Sequence, residues 1–179
     1  MVGETYLLEM ENIVKSFPGV QALKRVMLKV APGEIHALMG ENGSGKSTLM
    51  KILMGMCHRD EGVIRLYGNE VNFTNPSQAL KQGIAMIHQE LSPVMDMEIA
   101  ENIFMGREIR RSLGFFVDFK EMRKQAKLLL KQFGLDIEPE VLMRNLSVGQ
   151  CQLIEIIRAV SCNAKIIIMD EPTSAITEN

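Results

Sequence analysis

Charge of one sign is missing from this 179-residue sequence. Twenty Lys and Arg stand against 22 Asp and Glu, a formal net charge of -2. Bulk positive charge therefore does not hold the chain to nucleic acid or anionic lipid, although a local basic patch stays open. Long hydrophobic runs are missing too. None approaches the roughly 18 residues that a membrane helix needs. The N-terminal stretch MVGETYLLEMEN is acidic and has neither a basic n-region nor a long apolar h-region, so no secretory signal is expected. Cysteine is scarce. Cys57, Cys151 and Cys162 are odd in number, far apart and in no C-x-x-C pair. That pattern fits a reducing cytosol better than a disulfide framework or a zinc site. No internal repeat or low-complexity segment occurs. The remaining composition, 46% apolar and 23% charged, is that of a globular domain able to bury a real core.

Residues 5–75 read as short strands broken by turns. Tyr6–Val14, Val26–Val30, Ile35–Met39, Val63–Tyr67 and Glu70–Phe73 are the candidates, with turn signals at Pro18-Gly19, Pro32-Gly33 and Gly68-Asn69. A helix over Lys46–Met54 interrupts them and closes at Gly55. Residues 76–160 are mostly helical in pattern. Short helices are predicted over Ser77–Gln82 and Met97–Met105, with a strand over Ile84–His88. Asp118 is a good N-cap for a helix reaching Phe133, with Met122, Ala126, Leu129 and Leu130 at helical spacing and Gly134 after it. Val148–Val160 is another helix, and Ile166–Met169 a buried strand. Strands alternating with helices predict an α/β core on a largely parallel sheet.

GENGSGKST, Gly40–Thr48, contains G-x-x-x-x-G-K-S between an apolar strand and a helix. Gly40, Gly43 and Gly45 allow a concave backbone nest whose N–H groups point at phosphate oxygens. The helix N-terminus adds partial positive charge there. Lys46 would reach the β- and γ-phosphates, and the Ser47 hydroxyl would ligate Mg²⁺.

IIIMDEP, Ile166–Pro172, is an apolar strand that ends in two acids. Ligands sit at the carboxyl ends of strands in open α/β sheets. Asp170 would hold Mg²⁺ beside the phosphate loop if the two strands are neighbours. Glu171 would accept a proton from a water attacking the γ-phosphorus. Gln89 follows the strand over Ile84–His88. It would complete the Mg²⁺ shell and sense the γ-phosphate, or else be a solvated loop residue. LSVGQ, Leu146–Gln150, admits two readings. Ser147-x-x-Gln150 is a capping box. Gly149 in the first turn is unfavourable unless something approaches the backbone closely, as a second phosphate site using the Ser147 hydroxyl would. Phe17 would stack on adenine or belong to the core. His36, on an apolar strand, is expected to be a satisfied core or edge histidine, and His58 a surface one. The 14 methionines read as flexible core filling. Arg107–Arg111 reads as a solvated loop, with contact to membrane subunits or lipid headgroups as the alternative. Lys120–Lys131 reads as a charged helical face.

These segments stand in one order: GENGSGKST, the glutamine of IHQEL, LSVGQ and IIIMDEPTS. Together they resemble the nucleotide-binding domain of ABC transporters. KSFPGVQALKRVMLKV, IHALMGENGSGKSTLMKILMG, MIHQELSPVMDMEIAENIFMGRE and NAKIIIMDEPTSAITE are similar to ATP-binding subunits of bacterial monosaccharide importers of the ribose and galactose type. The likeness runs over essentially the whole chain.

The resemblance implies an α/β fold of the P-loop NTPase type, with a RecA-like mostly parallel sheet. It adds an N-terminal antiparallel β subdomain and an inserted α-helical subdomain, and leaves the C-terminal core strands missing. Residues 1–179 would be one truncated ATP-binding domain. Residues 1–88 and 162–179 would form the core and β subdomain, and 89–161 the helical signature subdomain. ATP would be bound by Phe17, Gly40, Asn42, Gly43, Ser44, Gly45, Lys46, Ser47 and Thr48. Ser147 and Gly149 would touch ATP held by a second ABC domain, in the same chain or a homodimer. Mg²⁺ would be held by Ser47, Gln89 and Asp170, with Lys46, Gln89 and Glu171 catalytic. Residues 90–106 would face transmembrane permease subunits, served in turn by a periplasmic sugar-binding protein. No nucleic-acid partner is implied. The place would be cytoplasmic, on the inner face of the membrane.

Three departures stand out. Val148 replaces the usual signature glycine and Thr177 a frequent aspartate, both habits of the sugar branch. The family's switch histidine, which follows further core strands, has no counterpart among His36, His58 and His88. The sugar branch also carries a second, similar domain. A truncated first domain is therefore expected to bind nucleotide with impaired hydrolysis, and to dimerise or aggregate through an exposed sheet edge. Two other functions fit less well: a soluble ABC-type ATPase acting on ribosomes or DNA, which usually carries basic extensions, and a binding-only module.

Overall fold

Leu8, Met10 and Ile13, then Leu23 and Leu28, stand on either side of the Pro18-Gly19 turn. In the computed structural model, which describes residues 6–87, 93–111 and 115–169, these apolar positions close an antiparallel hairpin. Its strands are β1 (Leu8–Phe17) and β2 (Val20–Val30). The other edge of β1 pairs with β3 (Glu61–Leu66), and β3 pairs with the two-residue β4 (Asn69–Glu70). The sheet order is β2-β1-β3-β4. Leu8, Met10, Ile13, Ile64 and Leu66 are buried. The solvent side carries an ionic ladder across three strands. Arg65 donates to Glu11 at 2.7 Å, and Lys29 reaches Glu11 at 3.1 Å and Glu9 at 3.2 Å.

Helix α1 (Lys46–Leu53) buries Leu49, Ile52 and Leu53. It is followed by Gly55 at φ 70, the left-handed stop that its sequence predicts. Helix α2 (Pro76–Lys81) starts with the Asn75 side chain accepting from the Gln78 N–H at 3.0 Å, with proline in its first turn.

The chain divides into two compact units, Met1–Ile84 and Ala85–Asn179. The second is built on helices α3 (Ile99–Phe104), α4 (Phe119–Gln132) and α5 (Val148–Ser161). Ile99, Ile103, Met122, Ala126, Leu130, Ile154 and Ile157 form one apolar cluster, the 3.6-residue spacing at work. Asn102 is buried within this unit and fully satisfied. Its amide donates to the Val94 and Glu98 carbonyls and its oxygen accepts from the Val94 N–H. Arg107 donates to the Ile103 carbonyl at 2.9 Å and to the Ser161 hydroxyl at 2.8 Å, so it ties the C-terminal ends of α3 and α5. Strand β6 (Ile166–Met169) pairs with β5 (Ile84–Ile87) in a separate two-stranded sheet.

Three sequence expectations are corrected. Residues 35–39 form no strand: Ile35 is 100% exposed and Met39 88%. An apolar run becomes a strand only when a neighbour takes its backbone N–H and C=O groups, and no described segment does so here. His36 is accordingly neither core nor sheet edge; its Nδ1 lies 2.8 Å from Glu34 Oε1 at the surface. Methionine is also not mainly core filling. Met10, Met54, Met122 and Met143 are buried, but Met27, Met39, Met56, Met95, Met97 and Met169 are exposed. His58 is exposed as expected.

Candidate functional site

Three constraints shape the loop Gly40–Thr48. Gly43 and Gly45 have φ 82 and 97, backbone states that L side chains rarely adopt. At Gly45 a β-carbon would lie 2.6 Å from the Ala22 carbonyl oxygen and 2.7 Å from Leu23 Cδ2. Glycine is therefore required there by approach as well as by conformation. Being the N-cap of α1, it offers no side-chain cap, and no acidic side chain stands in the first helical turn. The positive end of α1 is left for an outside anion.

Lys46 folds back over this loop. Its Nζ donates to the Gly40 carbonyl at 2.7 Å and the Glu41 carbonyl at 2.9 Å. The ammonium thus stands at the mouth of the loop. Asn42, Ser44 and Ser47 are exposed, and Thr48 is partly covered. The Ser47 hydroxyl, at the start of α1 and open to solvent, is chemically suited to a hard cation.

The contact of Gly45 with Ala22 and Leu23 also locates an aromatic side chain. Leu23 pairs with Lys15 across the hairpin, and Phe17 pairs with Val20 at its end. Two residues of strand span roughly 7 Å, so Phe17 lies within one nucleotide's length of the loop. Phe17 is 43% exposed, which is not the burial of a core ring.

At α5 the capping box is fully formed. The Gln150 N–H donates to Ser147 Oγ at 3.3 Å, and the Ser147 N–H donates to Gln150 Oε1 at 2.9 Å. Ser147, Val148 and Gly149 are exposed. Among the described residues, a β-carbon at Gly149 would meet nothing within 4 Å. The unit itself therefore does not need glycine there, and the capping box leaves this residue unexplained.

The structure places Phe17 at the end of the hairpin whose residues Ala22 and Leu23 adjoin Gly45 of the loop. It describes Ser147 and Gly149 as exposed in the other unit. Gln89, Asp170 and Glu171 lie outside the described residues, as does His88. β6, the strand before Asp170, pairs with β5. Sequence reasoning missed Lys15 and Asp60, which brace the end of β1. They lie 45 residues apart, and no local signal joins them.

Residues 23–174 match the ABC transporter family. The chain is 52% identical over 173 residues to the galactose/methyl galactoside import ATP-binding protein MglA of Sodalis glossinidius. That alignment covers 97% of this chain and 34% of the relative, so the chain spans about a third of the relative's length. Among solved structures, the ADP conformation of MJ1267, an ATP-binding cassette of an ABC transporter, is 30% identical with a TM-score of 0.82. It is covered over 71% of its length by 96% of this chain. The dimeric post-hydrolysis state of the cassette MJ0796, bound to ADP and Pi, is 27% identical with a TM-score of 0.76. Here 96% of this chain covers 76% of that one. The glycine-capped loop, the helix behind it and the capping-box helix are thus parts of a P-loop NTPase fold, and the chain belongs to the ABC transporter family.

Proposed function

We propose that this chain binds ATP with Mg²⁺ at Gly40–Thr48, as part of the subunit that energises import of a simple sugar. One observation carries the reading: an uncapped helix N-terminus with Lys46 turned over it, beside an exposed Phe17. The loop glycines and the N–H groups at the start of α1 receive phosphate oxygens. Lys46 exchanges the Gly40 and Glu41 carbonyls for β- and γ-phosphate oxygens, and Phe17 stacks on the base. Ser47 holds the metal with Gln89 and Asp170. When bound, the metal neutralises charge on the β- and γ-phosphates. Glu171 takes the proton of the attacking water.

Gly149 and Ser147 serve a second ABC domain. Their exposure, the open space at Gly149 and the dimer of the similar cassette support this. Residues 89–161 act as the helical signature subdomain, with residues 1–88 and 162–179 as core and β subdomain. Residues 90–106 face permease subunits on the inner face of the cell membrane, and a sugar-binding protein delivers the cargo. The similarity to a galactose importer subunit supports a monosaccharide.

This chain binds nucleotide but turns it over slowly, because residues 35–39, which lead into the loop, have no strand partner among the described residues. Titration of the 179-residue chain with Mg-ATP tests the site. Binding is expected in the parent chain and is lost in Lys46→Ala with unchanged circular dichroism. Equal affinity in the two proteins refutes the assignment.

A further inference from the structure

Phe17 ends β1 and, among the described residues, has only Val20 as a strand partner, a place where a hairpin would ordinarily fray. Three contacts with Asp60 prevent this. The Asp60 N–H donates to the Val14 carbonyl at 2.9 Å. Lys15 Nζ donates to Asp60 Oδ1 and the Ser16 N–H to Asp60 Oδ2, each at 2.7 Å. One aspartate thus holds three consecutive residues, Val14, Lys15 and Ser16, immediately before the aromatic ring. The same ion pair fixes the Lys15 ammonium 5.5 Å from the centroid of the Phe17 ring. A cation at that distance is attracted to the ring face and orients it.

We propose that Asp60 and Lys15 are positioning residues for the base of the nucleotide: Asp60 anchors the end of β1 and holds the Lys15 ammonium against the Phe17 ring, leaving the rest of the ring as a platform for a purine. The inference rests on the reading of Gly40–Thr48 as a nucleotide site and adds to it the part of the ligand that the phosphate loop cannot recognise. A floating ring loses rotamer and backbone freedom when a base stacks on it. A ring already fixed by the ammonium does not, so the brace acts by preorganisation. The phosphates are untouched by this, since Lys46 and the start of α1 receive them whether or not a base is present.

Two probes separate base from phosphates: Mg-ATP and Mg-bound inorganic tripolyphosphate, titrated calorimetrically into the 179-residue chain. Asp60→Asn and Lys15→Met are each expected to weaken ATP by about three- to tenfold and to leave tripolyphosphate unchanged. The double variant is expected to equal the single ones, because both remove one device. Lys15→Met keeps the aliphatic stem and the Asp60 backbone contacts, so it reports on the platform even if Asp60→Asn unfolds the hairpin. Unchanged ATP affinity in Lys15→Met overturns the proposal while leaving the phosphate site intact. Equal weakening of ATP and tripolyphosphate also overturns it, since the brace would then only hold the fold. A parent chain that binds neither probe sinks the nucleotide reading and this inference with it.

Discussion

Glycine does opposite work at two positions of this chain. At Gly45 the backbone is left-handed and a β-carbon would collide with the Ala22 carbonyl and the Leu23 side chain. Gly45→Ala is therefore expected to lower stability by about 1–3 kcal/mol, a strain term plus a backbone shift, and to weaken phosphate binding. At Gly149 neither strain nor crowding operates. There alanine is the better helix former by about 0.5–1 kcal/mol. Gly149→Ala is expected to melt at or above the parent temperature in the isolated chain. Denaturation curves of the two variants check both signs. A destabilised Gly149→Ala would mean that the unit itself needs the glycine, and would remove the argument for an outside partner.

Between elements, the antiparallel sheet is laced by ionic contacts that titrate. The Glu11 carboxyl is held below the usual carboxylate range, first by the Arg65 hydrogen bond and then by Lys29. Asp60 is held low by Lys15 and then by the Ser16 N–H. A carboxylate with a lowered folded pKa stabilises the fold above its unfolded value, about 4. That stability is lost as the pH falls through the folded value. The melting temperature is therefore expected to be flat from about pH 7 to pH 5 and to fall below about pH 4. Glu11→Gln should lower the neutral plateau and shallow the acid decline. An acid limb identical to the parent's would show that the ladder is screened out by solvent. Lys15 and Lys29 are raised by the same partners. Their contribution is present at neutral pH and is lost only as the pH rises through values above about 10.4.

At the scale of the molecule, the exposed apolar run before the phosphate loop decides behaviour in solution. Ile35 and Met39 lie open to water, and the β5–β6 sheet has only two strands among the described residues. Unpaired backbone beside bare apolar side chains is a template for pairing with another chain. Light scattering is expected to show concentration-dependent association of the 179-residue chain. A double substitution, Ile35→Glu with Met39→Glu, should shift it toward monomer. A parent chain that stays monomeric at high concentration would contradict this.

Much of this architecture was legible residue by residue. The α4 spacing of Met122, Ala126 and Leu130, the Asp118 cap and the Ser147–Gln150 box are local, because each rests on residues three or four apart in one helix. The phosphate loop was legible for the same reason: its glycines, lysine and serine act within nine consecutive positions. Other features needed partners distant in sequence. Residues 35–39 have the composition of a buried strand, yet composition supplies no neighbour for their hydrogen bonds. The nearness of Phe17 to Gly45 passes through hairpin register and a backbone contact at Ala22. The Asp60 brace closes a separation of 45 residues. By itself, then, the sequence determined the helices, their caps and the left-handed glycines of the loop before α1, since those depend on short-range geometry. Only the tertiary structure decided which strands pair, which apolar residues stay wet and which strand end adjoins the glycine loop, because each depends on which chain segments meet in space.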